Sequence, residues 1–359
     1  MAEEVLVGVP RDVERGKERG ALIRMADREV RVDEQDPHAG GLTSLLEELA
    51  ERRWPAYLKV DEDTGAITEL RVPVIVRVGR LVSEPEGRFA VELVPSQARH
   101  ELPADAPAGF RELLEESARS GTLLVVTEDD DHRILDVRRP EEDVTLPRSL
   151  PVRGPAPTFR AWFFTALWSG EILAWLIWWL FPISRTKAKA AFDALNTLSC
   201  NPSTVPPPCI PFLYPDDGCW GRAHEMCRLM KGMSIPVRKV WIEGWLTAKT
   251  RNHPSCEVHW GWHVAPTVRV RRWWWFGAST QVIDPALFTG PVAQSTWQAA
   301  QEDPNSQLTA SSARIFYLWG SVTDDDNSQT ETVLATYRSQ LKARALSSSG
   351  PPPYAHCPV

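Results

Sequence analysis

Three residues have the types and order of a thiol hydrolase: Cys219, His263 and Asp284. Cys219 stands where a turn built from Pro215, Asp216, Asp217 and Gly218 gives way to a helix-like run from Gly221 to Met230. A thiol at a helix N-terminus feels the positive end of the helix dipole, which favours the thiolate and makes a nucleophile of a small core residue. His263 lies in an aromatic and β-branched run, Cys256 to Ala265, that reads as a buried strand stopped by Pro266, and it is the expected base. Asp284 ends a short apolar strand just before Pro285, where it would hold that base in one tautomer. Order alone is weak, because any chain of this size contains some Cys, His and Asp in sequence.

Each residue also has a plainer reading. A single Cys beside an apolar helix is usually a packed core residue. His259 rivals His263 as the base, since alternation places both on one face of a strand. His224 points away from the thiol and reads as structural, and Asp216 and Asp217 read as turn or cap residues.

The elements that must position these side chains are legible from patterning. The second half shows helices at 186–198 and 219–231 and strands near 237–247, 258–271, 280–284 and 313–319. In the first half, residues 1–40 are charged and weakly periodic, Leu42 to Arg53 is a helix, and Ala56 to Glu92 holds short strands. Phe110 to Ala118 follows as a helix, and Leu123 to Val137 as a hairpin around Glu128 to Asp131. Both halves are therefore α+β. The sixteen tryptophans and thirty prolines are unusual, and the prolines cluster at Pro147 to Pro157, Pro202 to Pro211 and Pro351 to Pro358. Those clusters mark a linker, a stiff loop before the Cys219 turn, and a tail expected to be disordered.

Charge divides the chain in the same place. Residues 1–150 hold 33 acidic and 21 basic side chains, a net of −12, against 14 and 19 over residues 151–359, a net of +5. Opposite signs suit an acidic domain docked on a basic one, although a merely soluble acidic module fits the charge equally well. The overall charge of −7, without a basic stripe interleaved with aromatics, argues against a general nucleic-acid binder. No CxxC or Cys/His spacing suggests zinc, so no metal and no cofactor is expected.

Further motifs place the chain near a known family. Pro208-Cys209-Ile210, Tyr214 to Cys219 and Arg222-Ala223-His224 resemble the catalytic region of the bacterial protein-glutaminases, also called protein glutamine deamidases. Trp260-Gly261-Trp262-His263-Val264-Ala265 and Ile283-Asp284-Pro285-Ala286-Leu287-Phe288, with Trp297, are similar to that family's histidine and aspartate segments. Trp220 and Trp262 depart from the tyrosine-like neighbours expected there. The resemblance covers about residues 185–300, and its separate motifs in one order make it much more specific than a lone pattern. It implies a transglutaminase- or papain-like α+β catalytic domain carrying the triad Cys219, His263 and Asp284. More faintly, Lys59 to Ile67, Val72 to Val82, Phe110 to Ser120 and Thr122 to Arg139 are similar to the family's pro-region, which folds against the catalytic domain and blocks its cleft.

The expected organisation is an acidic, pro-region-like and inhibitory domain over 1–150, a Pro-rich linker and Trp-rich segment over 151–184, a catalytic domain over 185–345 and a disordered tail over 346–359. The implied activity is hydrolysis of protein- or peptide-bound glutamine to glutamate and ammonia through a Cys thioester, in a self-inhibited precursor. Acyl transfer of the transglutaminase kind and papain-like proteolysis remain alternatives. So does a non-catalytic membrane-associated protein using the apolar segment Ala161 to Ile183, in which Glu171 would be costly at a bilayer centre. The start Met1 to Leu6 lacks a basic and then apolar leader, whereas the family resemblance favours an extracytoplasmic or secreted setting. The resemblance also pairs Cys200 with Cys209, leaving one more pair to form among Cys227, Cys256 and Cys357.

Overall fold

The computed structural model describes residues 2–16, 20–25, 27–147, 171–202, 208–272 and 277–358. It separates into two compact units, and neither is one continuous stretch of chain. The first takes Met1–Leu93, His100–Arg148 and Arg338–Pro352, and the second takes Val94–Arg99, Ser149–Tyr337 and Pro353–Val359.

In the first unit, strands β1 (Glu3–Gly8), β2 (Pro10–Arg15), β3 (Ala21–Met25) and β4 (Arg28–Val32) occupy the stretch that looked weakly periodic. The charges concealed a real alternation, since Ala21, Ile23 and Met25 are buried while Leu22 and Arg24 face out. Helix α1 (Ala39–Arg52) presents Leu42, Leu45, Leu46 and Leu49 to a core shared with Ile23 and Leu58. Strands β5 (Ala56–Asp61) and β6 (Ile67–Arg71) complete a three-stranded sheet ordered β1-β5-β6. A second sheet, β11-β10-β7-β8-β9, is built from β7 (Val74–Ser83), β8 (Phe89–Val94), β9 (His100–Leu102), β10 (Leu124–Glu128) and β11 (Ile134–Arg138). Helix α2 (Ala108–Ser120) covers it through Leu114, packed with Val76 and Val126.

The second unit opens its described helices with α3 (Glu171–Leu180), α4 (Arg185–Asn196) and α5 (Cys219–Gly232). Its sheet runs β15-β14-β13-β12-β16, from β12 (Arg238–Lys249), β13 (Glu257–Arg271), β14 (Ala278–Val282), β15 (Val292–Ala293) and β16 (Gln307–Ser312). Every neighbouring pair in it is antiparallel. Helices α4 and α5 bury Phe192, Leu195, Met226 and Met230 against Val268 and Val270 of β13. A separate core joins Trp260, Ile242 and Leu246 to Trp297 of the short helix α6 (Gln294–Ala299). Beyond β17 (Ile315–Tyr317) and β18 (Val322–Thr323), helix α7 (Ser328–Leu346) belongs to this unit as far as Tyr337 and to the first unit from Arg338.

Three expectations change. The strand expected over 313–319 is shorter, Ile315–Tyr317, because the chain turns at Ala313 and Arg314, where the Arg314 N–H donates to Ser312 Oγ. The tail expected to be disordered is tied by a Cys256–Cys357 disulfide, and the Tyr354 N–H donates to the Arg251 carbonyl. The cut expected at 345 falls inside α7. The resemblance-derived bridge Cys200–Cys209 is present, and Cys219 and Cys227 are free and buried. Of the Trp-rich segment, residues 161–170 lie outside the described part. Among the described residues no helix is long and apolar enough to cross a membrane. The linker over 151–160 also lies outside it.

Candidate active site

The turn before α5 is fixed by three kinds of contact, and together they aim the first peptide of the helix. Gly218, the helix cap, has φ of 80°, a left-handed conformation that glycine adopts at little cost. A Cβ at that position would also lie 2.3 Å from Tyr337 Cδ2, so the ring and the backbone both require glycine. Asp217 Oδ1 accepts from the N–H of Gly218 at 2.9 Å, and its Oδ2 accepts from the Tyr337 hydroxyl at 2.6 Å. The buried guanidinium of Arg222, one turn into the helix, donates to the carbonyls of Tyr214 and Asp217. Asp216 faces the other way, with Oδ1 3.1 Å from His253 Nε2. Both aspartates therefore hold the loop, as the turn reading expected.

Cys219 is 1% exposed. Burial pushes its thiol well above the ordinary value, against a downward pull from Arg222 and from the Val264 N–H, while Asp217 and Asp284 push it further up. The helix-terminus expectation of a ready thiolate is therefore reversed in this closed arrangement: desolvation outweighs the favourable end of the helix. The Val264 hydrogen bond brings β13 directly to the sulfur, and the residue just before Val264 is His263.

His263 Nε2 and Asp284 Oδ2 are 2.9 Å apart, and both residues are buried. Trp297 Nε1 donates to the same carboxylate oxygen at 2.9 Å. Burial alone would raise the Asp284 pKa, but the His263 charge, the hydrogen bonds from His263 and Trp297, and Arg222 bring it below the usual carboxylate value. The imidazole stacks on Trp260 at 4.4 Å between ring centroids, with Trp297 at 5.6 Å. With Nε2 committed to Asp284, Nδ1 is the nitrogen left to exchange a proton, and it is buried without a hydrogen-bond partner. A buried imidazole nitrogen with nothing bonded to it is uncommon outside sites of chemistry.

The rival residues are placed elsewhere. The His259 side chain is 44% exposed and pairs with Glu257 and Thr247. His224 approaches Lys239 Nζ at 3.3 Å, and burial together with Lys239 and Lys231 holds it neutral, down to about 3. Among the described residues, Cys256, His356 and Cys357 lie close enough to share a metal, but the two cysteines form a disulfide. His100, Glu128 and His132 in the first unit are a second such set, with Glu128 2.6 Å from His100 and 3.0 Å from His132.

Sequence reasoning missed the residue that completes the site. Gln97 lies in the segment Val94–Arg99, which belongs to the second unit. Its side-chain Oε1 accepts from the backbone N–H of Cys219 at 2.9 Å, and its Nε2 donates to the Pro215 carbonyl at 3.4 Å. Its own N–H donates to Asp217 Oδ1 at 2.9 Å, and its carbonyl accepts from Gly261 at 2.9 Å. The Arg99 N–H donates to the His259 carbonyl at 3.2 Å, which makes Ala98 and Trp260 an antiparallel pair. Trp262 Nε1 donates to the Ser96 carbonyl at 3.1 Å. The segment thus meets β13 through an antiparallel bridge, with one glutamine side chain turned onto the helix start. No local signal in Val94 to Arg99 announces this.

The fold is mixed α/β, and in its second unit a buried cysteine stands at a helix N-terminus and a strand-borne histidine pairs with an aspartate. Residues 188–301 match the sequence profile of the family described as Glutaminase. A crystal structure of pro-protein-glutaminase is similar in fold at 21% identity, covering 79% of this chain and 98% of its own, with a TM-score of 0.50. The NMR structure of protein-glutaminase from Chryseobacterium proteolyticum is 27% identical over 50% of this chain and 98% of its own, with a TM-score of 0.39. No curated protein sequence matches the chain significantly.

Proposed function

We propose that the chain hydrolyses the side-chain amide of glutamine in proteins or peptides, releasing ammonia, with Cys219 as nucleophile, His263 as base and acid, and Asp284 as the group that orients His263. The observation that carries this reading is the seated glutamine: a carboxamide oxygen accepts the N–H of Cys219 in the same unit as the His263–Asp284 pair. A backbone N–H at the nucleophile is where a tetrahedral oxyanion gains its stabilisation. The Cys219 proton passes to His263 Nδ1 as sulfur attacks the carboxamide carbon. The leaving ammonia takes that proton, a thioester remains, and water activated by His263 releases glutamate. Asp284, held below the usual carboxylate value, stays ionised through this cycle and stabilises the imidazolium.

The segment Val94–Arg99 comes from the acidic N-terminal part and fills the position a substrate glutamine needs. That supports a self-inhibited precursor with 1–150 as its pro-region, and it supports the transglutaminase- or papain-like reading of the catalytic domain. The test is ammonia release from a glutamine-bearing protein before and after limited proteolysis between residues 147 and 160, with Cys219→Ala alongside. Release that rises on cleavage and vanishes in Cys219→Ala is expected. Amine incorporation or peptide-bond cleavage in its place would move the reading to acyl transfer or proteolysis, and no reaction after cleavage would end it.

A further inference from the structure

Gln97 is a residue of the very type that the proposed reaction consumes, and its amide is oriented for reaction by groups that cannot be exchanged. The Cys219 N–H offers a donor and the Pro215 carbonyl, which also accepts from Arg222, offers an acceptor, so a flipped amide would oppose donor to donor and acceptor to acceptor. The backbone on either side is pinned as well, through Asp217 and Gly261. Gln97 is fully buried, so its amide is held dry and still against the helix start.

We infer that Gln97 is the first substrate of its own chain: Cys219 deamidates it in cis, and the glutamate side chain formed at this position leaves the site, so that the site is opened by chemistry rather than only by chain cleavage. The inference rests on the proposed reaction and adds its internal target. In the step, the Cys219 sulfur bonds to Gln97 Cδ, the C–N bond breaks and ammonia leaves with the thiol proton carried by His263. Water then adds to the thioester, the C–S bond breaks, and the thiol is restored beside a carboxylic acid that ionises. Nothing beyond one water molecule is consumed.

The product does not fit where the substrate did. At Pro215 a carboxylate oxygen would meet a carbonyl oxygen in place of the N–H that now bonds it. Asp217, which receives the Gln97 N–H, adds a second negative group nearby. One carboxylate oxygen would keep the Cys219 N–H. The other would face the Pro215 carbonyl, which Arg222 already serves at 3.4 Å, with Asp217 as a like charge nearby, so burial there is disfavoured relative to the amide. The Pro215 carbonyl is therefore the group that tells glutamine from glutamate, in this segment and in any later substrate.

Peptide mapping by mass spectrometry of the full-length protein decides the matter, with ammonia release from an added glutamine peptide measured on the same preparation. Glutamate at position 97 in the wild type and glutamine in both Cys219→Ala and Cys219→Ser is the expected result, the two variants guarding against a folding failure in either. Intact Gln97 in a preparation that deamidates the peptide overturns the inference and leaves the proposed reaction standing. Intact Gln97 with no peptide turnover, even after proteolysis, overturns both. Glutamate at this position in the Cys219 variants as well overturns the inference, since the conversion would not need the thiol. For the opening step, Gln97→Glu should exceed the uncharged and non-hydrolysable Gln97→Met by at least about tenfold in kcat/KM for the peptide, because only the former places a buried charge in the site. Equal values would remove the release from the proposal.

Discussion

The second unit contains two buried histidine–aspartate pairs, and they differ in one nitrogen. His263 Nε2 bonds Asp284, and its Nδ1 is left without a partner. His253 Nε2 pairs with Asp216, while its Nδ1 meets both the hydroxyl and the N–H of Ser255, at 2.6 and 3.2 Å. The first pair has a proton site in reserve. The second has spent both nitrogens on holding a loop, and the Cys357 sulfur against the His253 carbonyl ties the same corner to the chain end. Burial and a carboxylate do not by themselves distinguish chemistry from structure. The unspent valence does.

That contrast can be broken most sharply at the histidines. His263→Ala should reduce glutamine deamidation by at least about 10⁴-fold, as removal of a unit of a cooperating triad does, while the melting temperature changes little. His253→Ala should do the reverse, removing the imidazole that lies 3.1 Å from the buried Asp216 carboxylate at a cost of about 3–5 kcal/mol of stability, with kcat/KM of the folded enzyme close to wild type. Urea melts and steady-state kinetics on both variants check the pair of outcomes, and equal losses of activity would erase the distinction.

A smaller test asks what orients Asp284. Trp297→Phe keeps the stacked ring near His263 but removes the N–H that bonds Asp284, and a hydrogen bond to a charged group is worth about 1.5–3 kcal/mol. A fall in kcat of about tenfold or somewhat more is expected, with KM nearly unchanged.

The smallest effect belongs to His224, which has no part in either pair. Its pKa in the folded state is lowered from 6.5 to about 3 by burial and by the lysines beside it. The unfolded chain therefore binds the extra proton first, so stability is full above about 6.5 and is lost progressively as pH falls toward about 3. His224→Gln should flatten that part of the stability profile without moving activity at neutral pH, and denaturation curves across that range measure it.

The same contrast shows what could be read without the structure. His263 and Asp284 were legible because their aromatic and proline neighbours mark a strand and its end, and Cys219 because a Pro-Asp-Asp-Gly turn announces a helix start. Helix α5 lies at Cys219–Gly232, one residue from the expected bounds, since a strong turn fixes one end. Helix α7 was missed because Leu334, Tyr337, Arg338 and Leu341 are all buried, so its sequence shows no single apolar stripe. Gln97 was illegible for a different reason: its partners lie more than a hundred residues away, and nothing periodic or chemically rare surrounds it.

The stretch of β13 around Trp260, beyond the residues that β14 pairs, carries a consequence for the choice of client. Beside His259 and Gly261 the backbone of a segment on this path is taken up by hydrogen bonds at the reacting residue's own carbonyl and at the N–H two residues on. A glutamine arriving by the path of Gln97 must come on an extended stretch, with its own helical bonds already given up. Glutamines in mobile loops and tails of a folded client should therefore react first, and those inside stable helices only at the rate their helices open. The enzyme would then report on how often a client frays, and deamidation sites mapped against hydrogen-exchange rates of the same client should follow one order.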